Sequence, residues 1–116
     1  MKHICFIFCL LFTVSFIAVK DTFAFDKKTS QNKETINKVL SFIENKKYSE
    51  ALPLLRNLEK KNNAWSLNVL GLFYQKGYGV KQNYNKAYKY YYKAKELNYI
   101  GAFFNLANMY QNGLGV

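Results

Sequence analysis

Ile36, Val39, Leu40 and Ile43 recur at the i, i+3, i+4, i+7 spacing of one helix face. They predict a first helix from Glu34 to Asn45, broken at "ENKK". Ahead of it, residues 25–33, "FDKKTSQNK", show no apolar period and read as a flexible linker. Ala51, Leu52, Leu54, Leu55 and Leu58 predict a second helix from Tyr48 to Lys61, ended by "KKNN". Pro53 falls inside it. With Ser49 as N-cap, the missing amide forfeits only the first intrahelical bond; with Glu50 as N-cap, it forfeits none. Three more helices are expected over Ala64–Lys76, Tyr84–Leu97 and Ile100–Gln111. No run shows the strict alternation of a strand. The connectors "GYGVKQN" and "NY" are short, so the pattern describes stacked antiparallel helical hairpins and an all-α class.

A shift of 36 residues lays the chain on itself. "YQKGYGV" (Tyr74 to Val80) falls on "YQNGLGV" (Tyr110 to Val116), Leu70 on Leu106 and Gly71 on Ala107. Tyr48 falls on Tyr84, Ala51 on Ala87 and Asn62 on Asn98. About two and a half hairpins follow from this period. Gly77, Gly79 and Val80, with their copies Gly113, Gly115 and Val116, are the expected turn residues: the glycines reverse the chain, and the valine closes onto the core. Ser66/Ala102, Gly71/Ala107, Ala87 and Ala94 are small where helices are to cross closely. Asn98 is expected in the left-handed conformation after the fourth helix. The fifth helix has no second helix after it. Its apolar face, with Phe103, Leu106 and Tyr110 as candidates, is expected to be incomplete. That points to a piece of a longer repeat protein or to completion by another chain, including self-association.

The N-terminus changes the available chemistry. A basic start, Met1-Lys2-His3, precedes an apolar run of 16 residues, Ile4 to Val19. Thr22 and Ala24 provide a small-x-small cleavage site, so residues 1–24 read as a signal peptide and Phe25 as the mature start. The alternative is an uncleaved membrane anchor, although a span usually needs about 20 residues. Without the leader the chain loses Cys5, Cys9 and His3, which are its only cysteines and histidine. The remainder has no thiol and no imidazole. No catalytic residue, metal or cofactor is expected, and the chain reads as a non-enzyme. It keeps a net charge of +9, from 15 Lys and Arg against 6 Asp and Glu. In the periplasm or outside the cell that charge suits acidic partners rather than nucleic acid.

Ser66 to Asn98, "SLNVLGLFYQKGYGVKQNYNKAYKYYYKAKELN", resembles a Sel-one-like repeat, a relative of the tetratricopeptide repeat. The matching positions are Ser66, Leu70-Gly71, Tyr74, Gly77 to Val80, Asn83, Lys86-Ala87, Tyr90, Ala94-Lys95 and Asn98. Ala102 to Val116 resembles the first half of another repeat, and Phe42 to Leu55 a plain tetratricopeptide hairpin. The resemblance implies a right-handed α-solenoid over residues 34–116, working as a scaffold or adaptor. It also implies that the first helix of each hairpin lines a concave groove. Carried over by position, the groove set is Trp65, Asn68, Leu72, Gln75 and Lys76, then Phe104, Asn108, Gln111 and Asn112. There the amides are expected to bond a peptide backbone, with Trp65 and Phe104 as apolar anchors.

Three other motifs suggest chemistry outside the repeat logic. "GYGVKQ" has no third glycine and no preceding strand, so its glycines are turn residues rather than a nucleotide loop. "NYNKAYKYYYKAK" (Asn83 to Lys95) puts Tyr84, Ala87, Tyr88, Tyr91 and Ala94 on one helix face and Lys86, Lys89 and Lys93 on another. It reads as an aromatic core stripe backed by a solvated basic face rather than a single-strand groove. "SQNK" (Ser30 to Lys33) matches the Ser-x-x-Lys of penicillin-recognising enzymes, and some relatives are linked to β-lactams. It has no Lys-Thr-Gly companion, so β-lactam processing is the alternative function rather than the leading one.

Overall fold

The computed structural model describes residues 28–116. The leader, its cleavage site and residues 25–27 lie outside the described residues. Five helices follow one another: α1 over residues 28–44, α2 Tyr48–Lys60, α3 Ala64–Lys76, α4 Tyr84–Glu96 and α5 Ile100–Gln111. The described residues include no strand. The all-α repeat architecture expected from the periodicity is the one found. The compact unit that carries the repeats is Asn37–Val116.

Two local expectations need correcting. Residues 28–33, expected as linker, are helical. They lack an apolar period, but they contain no Gly or Pro, and Lys and Gln are good helix formers. In α2 the N-cap is Lys47 rather than Ser49 or Glu50, and the first bond runs from the Ala51 amide to the Lys47 carbonyl at 3.2 Å. Pro53 therefore sits in the second turn, where the Ser49 carbonyl goes without its amide. That end of α2 also lacks a side-chain cap.

One closure ends every helix. An amide reaches back five residues to a carbonyl: Lys47 to Phe42, Asn63 to Leu58, Tyr78 to Phe73, Tyr99 to Ala94 and Leu114 to Met109, at 2.8 to 3.1 Å. The residue before each of these donors is left-handed: Lys46, Asn62, Gly77, Asn98 and Gly113. This is the Schellman closure. Asn98 adopts the conformation expected of it. The glycine turns also dock backwards. A Cβ on Gly79 would meet Leu52 Cδ1 at 3.1 Å and the Ser49 amide at 3.3 Å. On Gly115 it would meet Tyr84 Cβ at 2.7 Å. Tyr48 and Tyr84 are themselves one period apart, so each turn lies on the start of the preceding hairpin's second helix.

Asparagines cap the starts of α3 and α4. The Asn63 side chain accepts from the Ser66 amide at 2.9 Å, and Asn83 from Lys86 at 3.0 Å. Asn63→Ala is expected to lower stability by about 1 kcal/mol, read as a shift in the urea midpoint at unchanged slope.

The core lies between successive helices. Val39, Ala51, Leu55, Val69, Leu70 and Phe73 join α1, α2 and α3. Tyr74, Ala87, Tyr91, Leu106 and Met109 join α3, α4 and α5, and Leu67, Ala94 and Ala102 close the other end of that layer. Val80 packs against both layers, as expected of a turn residue, whereas its copy Val116 is exposed. Ser66, Ala87, Ala94 and Ala102 are fully buried. The buried Ser66 hydroxyl is satisfied by donating to the Asn63 carbonyl at 2.7 Å.

Candidate functional site

The residues expected to bind a partner come from α3 and α5. On α3, Trp65, Asn68, Leu72 and Gln75 are half-buried and Lys76 is exposed. On α5 and at its C-cap, Phe104, Asn108, Gln111 and Asn112 are exposed. A hydrogen bond ties the two helices together at this face, with Asn105 Nδ2 donating to Asn68 Oδ1 at 2.8 Å. Asn112 Nδ2 donates to the Asn108 carbonyl and side-chain oxygens at 2.9 and 2.6 Å. These amides are pre-ordered by each other, and each keeps spare bonding capacity. Trp65 rests against the α1–α3 core, so only part of its ring is available.

Gln75 does not stand with this set. Its Oε1 accepts from the Tyr91 hydroxyl at 2.6 Å, and its backbone carbonyl accepts from Gln82 Nε2 at 2.8 Å. It therefore satisfies a buried tyrosine of α4. Burial alone holds the Tyr91 pKa well above the ordinary tyrosine value.

α5 exposes more apolar surface than the expected anchors. Ile100 and Phe104 are each 72% exposed and lie one turn apart. On the neighbouring stripe Phe103 is 47% and Tyr110 59% exposed, whereas Leu67 and Tyr74, one period earlier, are 3% and 8% exposed. Leu67 and Tyr74 are covered by α4, and the described residues place no such helix over Phe103, Ala107 and Tyr110. Leu106, grouped with that face in the sequence, instead points into the α3–α5 core.

A second cluster, between α2, α3 and α4, went unanticipated. Tyr74 and Tyr90 stack with centroids 5.6 Å apart and planes 10° from parallel. Arg56 Nη2 donates to the Tyr74 hydroxyl at 2.8 Å, and Nη1 donates to Tyr90 at 3.0 Å and Glu59 at 3.4 Å. Tyr90 in turn donates to Glu59 at 2.9 Å. The bond to Tyr74 holds the Arg56 pKa above even the usual guanidinium range, against the opposing effect of burial. Burial, then the Glu59 carboxylate, pushes the Tyr90 hydroxyl up. Arg56, Tyr74 and Tyr90, with Lys86, Lys89 and Lys93, line an open cavity of about 400 Å³. The three lysines were expected to be a plain solvated face. Arg56 is the only arginine of the chain, and that was the one available signal.

Ser30 and Lys33 of the Ser-x-x-Lys motif are exposed on α1. Among the described residues no three His, Cys, Asp or Glu side chains gather as metal ligands, and no helix is long and apolar enough to cross a membrane.

Stacked antiparallel hairpins with a 36-residue period and one shared closure define an all-α helical-repeat protein. The family model of the Sel1 repeat matches residues 66–99 and 102–116. Over those residues the chain carries Sel1-like repeats. It is similar to "Protein sel-1 homolog 2" of Rattus norvegicus, at 48% identity over 72 residues, which is 61% of this chain and 10% of that protein. It is also similar to the crystal structure of a Sel1 repeat protein from Oxalobacter formigenes, at 33% identity and a TM-score of 0.63, covering 68% of this chain and 32% of that one. The chain thus spans a small part of the length of each. Sel1 repeats are generally protein-interaction modules.

Proposed function

We propose that this chain is an exported interaction module that holds an extended peptide or partner surface along the outward faces of α3 and α5. The exposed apolar surface of α5 carries this reading. Ile100 and Phe104 stand in solvent beside ordered amides, and contiguous exposed apolar side chains mark contact sites rather than free surface. Phe104 and the free edge of Trp65 are the anchors, and Asn68, Asn108, Gln111 and Asn112 the polar contacts. The expected groove is thereby extended by Ile100 and loses Gln75. Export is supported by the apolar run of residues 4–19 and the small residues after it.

The test is a comparison between variants. A partner captured by the full chain is to be lost when Phe104 and Trp65 are both replaced by alanine, by at least about tenfold in affinity. Retention of the same partner at equal affinity by that double variant overturns the assignment.

Self-association is a second use of α5, on the stripe of Phe103, Ala107 and Tyr110. Its support is that the same stripe one period earlier is buried under a helix. Sedimentation of the full chain is expected to show a concentration-dependent dimer, weakened by Phe103→Asp. A monomer at all concentrations contradicts it.

A further inference from the structure

Arg56, Lys86, Lys89 and Lys93 open into the same cavity, whose lining includes no carboxylate and is completed by Tyr74 and Tyr90. We propose that this cavity, on α2 and α4 and apart from the α3–α5 face, binds an acidic peptide segment with at least two carboxylates. The proposal rests on the interaction reading above and adds a second contact, of opposite chemistry, for the partner.

Spacing comes first. Lys86, Lys89 and Lys93 follow one face of α4 at i, i+3 and i+7, which spans about 10 Å at the helical rise. Side chains on one side of an extended peptide recur about every 7 Å, so two such carboxylates fit between the outer lysines. Arg56 comes second. A guanidinium has five N–H donors, and its bonds to Tyr74, Tyr90 and Glu59 occupy three. The Arg56 side chain is 42% exposed, and the remaining donors are available to a ligand oxygen. The same three bonds hold the fork still, which reduces the ordering cost of binding. Glu59, the acidic neighbour, is engaged by both Arg56 and Tyr90 and leaves the lysines uncompensated.

Other polyanions fit less well. A nucleic-acid groove needs free aromatic faces for bases to stack on. Here the two tyrosines stack on each other, Lys86 Nζ lies 5.2 Å from the Tyr74 ring centre, and Lys93 Nζ lies 5.9 Å from that of Tyr90. A membrane surface is normally met by basic residues flanked by exposed apolar ones. The large exposed apolar side chains among the described residues, Phe103, Phe104 and Ile100 included, do not line the cavity.

The probe is a fluorescent peptide of six glutamates flanked by glycines, titrated with the full 116-residue chain and followed by anisotropy. Replacing Lys86, Lys89 and Lys93 together by glutamine is expected to weaken binding at least about tenfold. Replacing Lys46, Lys47 and Lys81, exposed lysines outside the cavity, removes the same charge and is expected to cost less than about threefold. Lys89→Glu alone, a single surface change, is expected to follow the first triple. Equal losses in the two triples overturn the site and leave only general charge attraction. Vesicles containing phosphatidylglycerol that bind through Lys86, Lys89 and Lys93 while the peptide does not bind also overturn it. A chain that ignores the peptide yet still loses its partner in the Trp65/Phe104 variant overturns this site and leaves the α3–α5 reading intact.

Discussion

Gly71→Val is expected to destabilise the repeat unit by about 3 kcal/mol, whereas Ala107→Val, one period later, changes stability by less than about 0.5 kcal/mol. The two positions share a repeat register but not an environment. A Cβ at Gly71 would lie 2.5 Å from Tyr91 Cε1 and 2.6 Å from Cδ1. The Tyr91 ring is fully buried, so it cannot swing into solvent to make room. Alanine at position 71 would gain about 1 kcal/mol of helix propensity and lose it to the same contact, which makes valine the clearer probe. Ala107 is exposed and has no such ring over it. Urea unfolding of the two variants at constant slope measures the contrast. Equal midpoints would show that the α3–α4 crossing is not tightly packed.

Tyr91 gives the second large effect, and it can be divided. Tyr91→Ala removes a fully buried ring that joins α3, α4 and α5, at an expected cost of about 4 kcal/mol. Tyr91→Phe keeps the ring and removes only the hydroxyl bond to Gln75, at about 1 kcal/mol. The two variants also separate in pH. Burial raises the folded-state pKa of Tyr91 above its unfolded value near 10. Above that value the unfolded chain releases a proton that the folded chain keeps. The stabilisation is therefore complete below about pH 10 and declines as pH rises toward the folded pKa. Melting temperatures of the native chain should fall as pH rises above about 10, and Tyr91→Phe should flatten that fall. It should not abolish it, because burial raises Tyr90 as well.

The helices were legible because each carries its own signal. The apolar spacing marked α2 to α5, and Asn63 and Asn83 cap where the pattern begins. Asn62, Gly77, Asn98 and Gly113 are residue types that tolerate the left-handed conformation, so the ends were legible too. Lys46 takes the same conformation without any such signal, because the Schellman closure after α1 imposes it from the backbone. The start of α1 was missed for a related reason: polar residues continue a helix without showing a period.

The candidate site was only partly legible. Phe104 and Asn108 were placed by the resemblance to a repeat family, and both are exposed. The role of Gln75 could not be read that way, since it depends on a tyrosine hydroxyl 16 residues away reaching its side chain. Arg56 was missed because its partners Tyr74 and Tyr90 lie 18 and 34 residues further on, on two other helices. A linear pattern shows three lysines on one face of α4. It does not show that an arginine from α2 closes the fourth side.

On the reading proposed above, a partner lies along α3 and α5 over Trp65 and Phe104. Hydroxyl-radical footprinting tests it most directly, by comparing side-chain oxidation in the free chain and in the complex with a captured partner. Phe104 and Trp65 are expected to be protected in the complex while Tyr92, exposed on α4, stays as reactive as before. Unchanged oxidation of Phe104 and Trp65 in a saturated complex would contradict it.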